Sequence, residues 1–234
     1  MNLKNHILAF DVSNNSCSVA ISVDQDIIAY EEDLRSSMQA ETLIPLIEKA
    51  LKSINYNYEQ IDYFAFTNGP GSFTGIRIGL AVAEAILISS NIKSVTISNF
   101  EMSYYRLMRQ VKLFDKALIL LNAYRNQLYY QEFDYSGNKK NYGIIDIDQI
   151  SILFANHNNE RIICAGSGVC EIYNQIKNIT NITILPRFTR INATQICKAA
   201  DDRIKKGEFG NVEPLYIRPP DAKIPTKLIP LHLV

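Results

Sequence analysis

The sequence is poor in the residues that most often hold metal ions or cross-link a chain. Its 234 residues include no tryptophan, three histidines and four cysteines. These are His6, His157 and His232, and Cys17, Cys164, Cys170 and Cys197. No two cysteines form a C-x-x-C pair, and no cysteines and histidines cluster at zinc-binding spacing. We therefore expect neither disulfides nor a zinc site, and we interpret the cysteines as buried thiols in a reducing cytosol.

The chain also lacks excess charge and long apolar runs. Basic and acidic side chains each number 24, so the formal net charge is zero. Binding RNA through charge requires many phosphate contacts, so we do not expect this chain to bind RNA by itself. The longest apolar tract, Ala117–Leu121, is far too short to cross a bilayer, and the N-terminus has no signal-peptide pattern. A cytoplasmic protein without membrane contact is expected.

What the sequence does contain is a regular order of strand-like and helix-like segments. In the first half the predicted strands are Ile7–Val12, Cys17–Val23, Ile27–Glu32, Tyr63–Thr67 and Ser94–Ile97, and the predicted helices are Gln39–Ile54, Thr74–Ser89 and Glu101–Val111. Ser36 and Gln39 have the spacing of a capping box for the first of these helices. Three adjacent strands followed by alternating helices and strands are typical of an actin-like, or ribonuclease H-like, half-domain.

The second half repeats this order more loosely. Its predicted strands are Lys116–Asn122, Gln127–Phe133, Tyr142–Asp146, Arg161–Ala165 and Ile182–Leu185, and its predicted helices are Asp148–Asn156, Val169–Asn178 and Asn192–Lys206. We therefore predict an α/β protein of the actin-like ATPase (ribonuclease H-like) fold, with two similar lobes whose mixed central sheets are flanked by helices. The predicted divisions are an N-terminal lobe (1–110), a C-terminal lobe (111–217) and an extended tail (218–234).

A glycine-rich turn, residues 68–79, separates the predicted strand Tyr63–Thr67 from the next helix. Its glycine spacing is one residue too long for the dinucleotide fingerprint, and it lacks the Gly-Lys-Ser/Thr ending of a P-loop. It is predicted to be a rigid turn or an anion site at a helix N-terminus. The candidate residues are Asp11, Gly69, Pro70, Gly71, Ser72, Thr74, Gly75 and Arg77.

The glycine-rich turn reads G-P-G-S-F-T-G-x-R-x-G, and further segments accompany it along the chain. They include Asn122–Arg125 followed by Tyr129, and Glu213–Pro220 near the end. Together these segments resemble the TsaB family, also called the YeaZ family, which is a smaller and catalytically degenerate relative of the TsaD threonylcarbamoyltransferases. The resemblance covers nearly the whole chain and implies the same actin-like fold.

This resemblance implies a non-catalytic scaffold subunit of the complex that makes N6-threonylcarbamoyladenosine (t6A) next to the anticodon of tRNA. The implied partners are a TsaD-like threonylcarbamoyltransferase, a TsaE-like ATPase at their junction and, for the chain alone, a second copy in a homodimer. Contact with tRNA would occur through the complex. A general interaction module outside tRNA modification is a further alternative.

TsaD-type members carry a histidine pair, H-x-x-x-H, where this chain has Asn99 and Ser103. Because neither is a strong ligand for a transition metal, no metal site and no catalytic residue are expected. Asp11 ends the first strand, where actin-like ATPases place an aspartate that faces a metal or phosphates, but it could equally cap a turn. No cofactor is expected, and weak nucleotide binding stays open. The alternative function is an independent actin-like enzyme, either an ATP-dependent kinase or a metallopeptidase-like hydrolase.

Small and apolar residues on the first two helices suggest an intermolecular surface. Gly75, Gly79 and Ala83 lie four residues apart, which places them on one helix face where another helix could approach closely. The predicted interface comprises Leu43, Leu46, Ile47, Ala50, Gly75, Gly79, Val82, Ala83 and Ile86. Packing inside the protein explains part of this pattern. We predict that a Gly79→Leu substitution, which adds bulk where helices should meet, impairs pairing with a partner more than folding of the monomer.

Overall fold

The computed structural model describes residues 4–14, 16–90, 92–155, 160–185 and 190–218. His157, His232 and the predicted tail beyond residue 218 lie outside the described residues. Among the described helices, none combines the length and the apolar character needed to span a bilayer.

The first lobe is built around a five-stranded mixed sheet in the order β3-β2-β1-β4-β5. Its strands are β1 (His6–Asp11), β2 (Cys17–Val23), β3 (Asp26–Asp33), β4 (Tyr63–Thr67) and β5 (Lys93–Ile97). Strand β1 pairs antiparallel with β2 and parallel with β4. The helices of this part of the chain are α1 (Gln39–Ser53), α2 (Phe73–Ile88) and α3 (Asn99–Met108).

The second lobe repeats this topology in a sheet of order β10-β9-β6-β7-β8. Its strands are β6 (Lys116–Asn122), β7 (Gln127–Asp134), β8 (Lys139–Asp146), β9 (Ile162–Ala165) and β10 (Ile182–Leu185), and the helices are α4 (Val169–Ile176) and α5 (Ala193–Lys206). In both lobes the first strand is central, pairs antiparallel with the second, and pairs parallel with the fourth. The predicted two-lobed actin-like fold is confirmed.

Strand β1 is buried on both faces, because its alternating side chains enter two different clusters. Leu8 and Phe10 pack on the side of α1 and α2, whereas Ile7 and Ala9 pack on the side of α5. The loop that leaves the carboxyl end of β1 therefore emerges between two covered layers. This placement brings Asp11 next to the glycine-rich turn after β4.

Helix α5 packs against the first lobe, although the predicted boundary assigned it to the second. This helix was assigned to residues 111–217, but it packs against the first sheet, where Ile196, Cys197 and Ala200 join the cluster around Ile7 and Ala9. The physical reason is that residues 1–110 supply two helices, α1 and α2, to one face of the first sheet and leave most of the opposite face uncovered. The apolar side of α5 fills that face.

Two local predictions also need correction. Residues Ile147–Leu153 form a 3₁₀ helix in place of the α-helix predicted over Asp148–Asn156, whose last residue is not described. The N-cap of α1 is Met38, and its side chain makes no capping hydrogen bond, so the Ser36–Gln39 capping box does not form. Instead, Gln39 Nε2 donates to the carbonyl of Asn14 at 3.1 Å, which ties α1 to the loop after β1.

Candidate functional site

The carboxylate of Asp11 organises the loop that follows β1. It is fully buried and accepts hydrogen bonds from Ser13 Oγ at 2.6 Å, Thr67 Oγ1 at 2.5 Å and Asn14 Nδ2 at 3.2 Å. Burial raises its pKa above the ordinary value, although the bonds from Ser13, Thr67 and Asn14 act in the opposite direction. Because the protein itself supplies these donors, the geometry favours a turn-capping role over a role facing a metal or phosphates.

Asn99 is the first residue of α3 and lies beside this loop, and Ser103 lies about one turn further along the helix. The Asn99 side chain donates through Nδ2 to Ser13 Oγ at 2.8 Å and to the carbonyl of Pro70 at 2.9 Å. A carbonyl can only accept, so this contact fixes the orientation of the amide. Ser103 Oγ donates to the backbone carbonyl of Asn99 at 2.8 Å. Asn99 thereby links the β1 loop to the glycine-rich turn.

These residues do not fit the metal that a histidine pair would hold. An asparagine binds a metal ion through its amide oxygen, and Asn99 Oδ1 has no hydrogen-bond partner among the described residues. A single amide oxygen is a weak ligand for a transition metal, and the Ser103 hydroxyl is committed to the backbone of its own helix. The nearby carboxylate of Glu101 forms ion pairs with Arg203 and with Lys139. Within the described parts of the chain, no group of three or more His, Cys, Asp or Glu residues could share an ion.

The part of the cleft between the lobes that lies beside these residues has a small volume. A cavity of about 50 Å³ lies there, with Ser13, Asn14 and Asn99 on one side and Asn122 and Ser167 on the other. Pockets that hold cofactors and drug-sized ligands measure roughly 300–1,000 Å³. The cavity beside Asn99 is thus smaller than such pockets. A wider open groove of about 1,210 Å³ runs along α3, where Glu101 meets Lys139 and Arg203.

The glycine-rich turn packs tightly against the protein's own backbone. A Cβ atom at Gly75 would lie 2.0 Å from the carbonyl oxygen of Val12, and Gly69 has a φ of +113°. Ser72 donates its backbone N–H to the carbonyl of Ser13 at 2.8 Å, and its Oγ caps α2 by accepting from the N–H of Gly75 at 3.2 Å. These contacts use N–H groups that an anion would need, so they support the structural interpretation of the turn.

The structure corrects the predicted partner interface. Six of its nine residues are buried within the protein itself: Leu43, Ile47, Ala50, Gly75, Gly79 and Ala83. A Cβ atom at Gly79 would lie 2.8 Å from Val12 Cγ2 and 2.9 Å from Phe10 Cε2. The small residues therefore let α2 approach its own sheet closely, which is the reason for their four-residue spacing. They are not available to a partner.

The opposite side of α2 is exposed and largely apolar. We define the outer face of α2 as its exposed residues Phe73, Thr74, Arg77, Ala81, Glu84, Ala85 and Ile88. Phe73 is 51% exposed and Ile88 is 86% exposed, and the helix has two charged residues, Arg77 and Glu84. Leu46, Val82 and Ile86, the other three predicted interface residues, are half-buried beside the core under α1 and α2. Residues 73, 77, 81, 84, 85 and 88 recur at helical spacing. The sequence therefore already contained the pattern of this exposed face, but the prediction considered the small residues on the other side of the helix instead.

A comparison with family models adds to this geometry. The model described as "TsaD: tRNA N6-adenosine threonylcarbamoyltransferase" matches residues 34–174, which is more than half of the chain. The chain belongs to the TsaD family. The matched region of this TsaD-family chain contains α1, the glycine-rich turn, α2 and α3, and therefore most of the elements around the cleft.

Curated relatives within this family are similar over a shorter stretch. The tRNA threonylcarbamoyladenosine biosynthesis protein TsaB of Buchnera aphidicola subsp. Schizaphis graminum is 32% identical over 127 residues, 54% of this chain and 60% of the relative. The TsaB protein of Escherichia coli (strain K12) is 26% identical over 132 residues, 56% of each chain. The tRNA N6-adenosine threonylcarbamoyltransferase of Ligilactobacillus salivarius is 26% identical over 146 residues, 55% of this chain and 43% of the relative.

The chain thus spans between 43% and 60% of the length of these relatives. A crystal structure of a Pseudomonas aeruginosa protein, described as similar to peptidase YEAZ, has a TM-score of 0.73 at 18% identity, and the match covers 92% of this chain and 100% of that chain. This likeness concerns the fold alone. The TsaB relatives confirm the resemblance to the TsaB branch of the TsaD family that the sequence motifs indicated.

Proposed function

We propose that this protein is a non-catalytic scaffold subunit of the machinery that makes t6A in tRNA, and that it works by pairing with a TsaD-like threonylcarbamoyltransferase. Relatives that carry the name tRNA threonylcarbamoyladenosine biosynthesis protein TsaB support the pathway. The side chains of Asn99 and Ser103 form hydrogen bonds within the protein, which favours a structural role for these residues over a catalytic one. The metal and the chemistry would belong to the partner.

The observation that carries the proposal is the outer face of α2. Burying an exposed Phe or Ile side chain contributes roughly 1.5–3 kcal/mol, so Phe73 and Ile88 alone offer a partner substantial apolar burial. A helix in contact with water normally presents charged residues, whereas this one presents Ala81 and Ala85 between its two charges. Short side chains at these positions allow a second helix to lie close.

The remaining parts of the proposal follow from this pairing. In the absence of the transferase, the outer face would be covered by a second copy of the chain, giving a homodimer. A TsaE-like ATPase would bind at the junction of the two different subunits, and tRNA would contact the assembly. With a net charge of zero, the chain is not suited to bind tRNA alone. We place the assembly in the cytoplasm.

The test is reconstitution with the TsaD-like transferase of the same organism. The two purified proteins should elute as one complex, and t6A, measured by mass spectrometry of digested tRNA, should form with both proteins and the remaining components of the pathway. The chain without the transferase should form none. An Ala85→Arg variant, which places a charge in the middle of the outer face, should lose the complex and keep its melting temperature. Formation of t6A by this chain in the absence of the transferase would contradict the proposal.

The alternative, an independent actin-like enzyme, makes a separate prediction. Titration of the isolated chain with MgATP in a calorimeter would then show binding that an Asp11→Ala substitution abolishes. We expect no such binding, because the cavity beside Ser13 and Asn14 measures about 50 Å³ and the Asp11 carboxylate already accepts hydrogen bonds from Ser13, Asn14 and Thr67.

A further inference from the structure

A segment far along the chain reaches the start of α2. After α5, residues 208–218, here called the strap, run beside β5 and over the glycine-rich turn. Ser94 Oγ donates to the carbonyl of Gly210 at 2.8 Å, and the backbone N–H of Leu215 donates to the carbonyl of Asn68 at 2.9 Å. Leu215 and Ile217 then pack against the core of the second lobe. The intervening residue, Tyr216, points away from that core and is 45% exposed.

Tyr216 packs against the first residue of α2. The ring centroids of Tyr216 and Phe73 are 5.2 Å apart, and the guanidinium carbon of Arg77 lies 5.3 Å from the centroid of the Phe73 ring. Half of the Phe73 side chain nevertheless stays exposed. Arg77 forms no ion pair with any residue that the structure describes. Two aromatic rings in contact, tilted by 35° to each other, and an arginine with no ion pair among the described residues therefore lie together on the surface.

We infer that Phe73, Tyr216 and Arg77 form an anchor that completes the surface for the TsaD-like partner. This inference rests on the proposed function. Phe73 and Arg77 belong to the outer face of α2, so the anchor continues the proposed interface onto the strap. Aromatic residues and arginine are the types most enriched among residues that dominate binding energy. Contact between the two rings restricts their rotamers in advance, so less side-chain freedom is lost on binding.

The charges on α2 predict the chemistry of the partner surface. Arg77 lies at the N-terminal end of the outer face, and Glu84 lies two turns further along. A complementary surface therefore presents a carboxylate opposite Arg77, an apolar socket for Phe73 and Tyr216, and a basic group opposite Glu84. A carboxylate suits the flat guanidinium because it can accept two parallel hydrogen bonds.

Measured dissociation constants for the partner transferase test this inference. Tyr216→Ala and Phe73→Ala should each raise Kd at least tenfold, and the double variant should raise it by less than the product because the rings support each other. Arg77→Glu should also raise Kd at least tenfold, with a smaller effect at high salt. Tyr216→Phe, which keeps the ring, should bind like the unmodified protein. The matched control is Tyr142→Ala, which removes a tyrosine of similar exposure from β8.

The melting temperature of each variant distinguishes an effect on binding from an effect on folding. If the contact between the two rings only stabilised the fold, its loss would lower the melting temperature without a matching change in Kd. If Tyr216→Ala and Phe73→Ala change Kd no more than Tyr142→Ala, while Ala85→Arg abolishes pairing, the anchor is wrong and the proposed function stands. If the unmodified chain does not bind the transferase, the proposed function fails and the anchor fails with it. If the anchor variants lose tRNA from the complex without a change in Kd for the transferase, these residues contact RNA and the inference is overturned.

Discussion

Replacing Gly79 with leucine measures directly which way α2 faces. The position lies on the buried side of the helix, and the first added carbon would sit 2.8 Å from Val12 Cγ2 and 2.9 Å from Phe10 Cε2. Carbon atoms in contact prefer about 3.5–4.0 Å. The Phe10 ring cannot withdraw easily, because it is fully buried and its centroid lies 5.2 Å from that of Phe64 and 5.5 Å from that of Phe66.

The magnitude follows from two opposing effects. Overpacking a filled core costs about 1–3 kcal/mol, and we take the upper end because the clash begins at the first carbon. Replacing glycine inside a helix returns about 1 kcal/mol of helix propensity. The net destabilisation is therefore about 2 kcal/mol, which corresponds to a decrease of roughly 4–8 °C in melting temperature for a domain of this size.

The assay is thermal and urea unfolding followed by circular dichroism, with Ala85→Leu as the control. That variant adds bulk to the exposed side of the same helix and should melt close to the unmodified protein. If Gly79→Leu melts like the unmodified protein and loses its partner, then this side of α2 faces outward and the packing described above is wrong.

The remaining predictions concern α3 and the outer face of α2. Burial acts to raise the pKa of Glu101, but Arg203, Lys139 and the Ser98 N–H outweigh it, so the pKa falls from 4.5 to about 2. A carboxyl group whose pKa is lowered in this way stabilises the folded state above pH 4.5 and ceases to do so as the pH falls toward 2. Glu101→Gln should therefore lower the free energy of unfolding by about 3 kcal/mol at pH 7. Urea unfolding should show that this difference shrinks below pH 4.5. Asn99→Ala removes the bonds to Ser13 and Pro70 and should cost about 1–3 kcal/mol in urea unfolding, against almost nothing for the exposed control Asn174→Ala. Ala85→Arg should weaken binding to the transferase at least tenfold, which size-exclusion chromatography of the mixture would reveal, and a retained complex would count against the outer face as the interface.

The order of strands and helices could be read from the sequence because it depends on local patterns. Strands β2, β4, β6 and β10 begin and end where hydrophobic alternation and turn residues predicted. The exact ends of helices were harder to predict. Ser98 and Glu101 form a capping box that begins α3 two residues before the predicted start. Turn and cap chemistry shifts the ends of elements, whereas the apolar pattern sets their type.

The small-residue part of the predicted interface is buried, and sequence reasoning missed this for a different reason. Gly75, Gly79 and Ala83 do mark a close approach, but a four-residue spacing carries no information about what approaches. The same pattern serves a helix against another molecule and a helix against its own sheet. The contact between Tyr216 and Phe73 could not be predicted from the sequence either. The two residues are far apart in the chain and meet because of the path that the strap follows.

The sequence by itself determined the repeated order of elements, the glycine-rich turn and the pair Asn99 and Ser103, because each is written in neighbouring residues; that a histidine pair could stand at these two positions came from the family resemblance. Tertiary structure alone decided that α5 covers the first sheet, that Asn99 joins the β1 loop to the glycine-rich turn, and that the exposed side of α2 is the one opposite its glycines. These outcomes depend on which apolar surfaces are left uncovered once the sheets have formed, and that is a property of the assembled fold rather than of any segment.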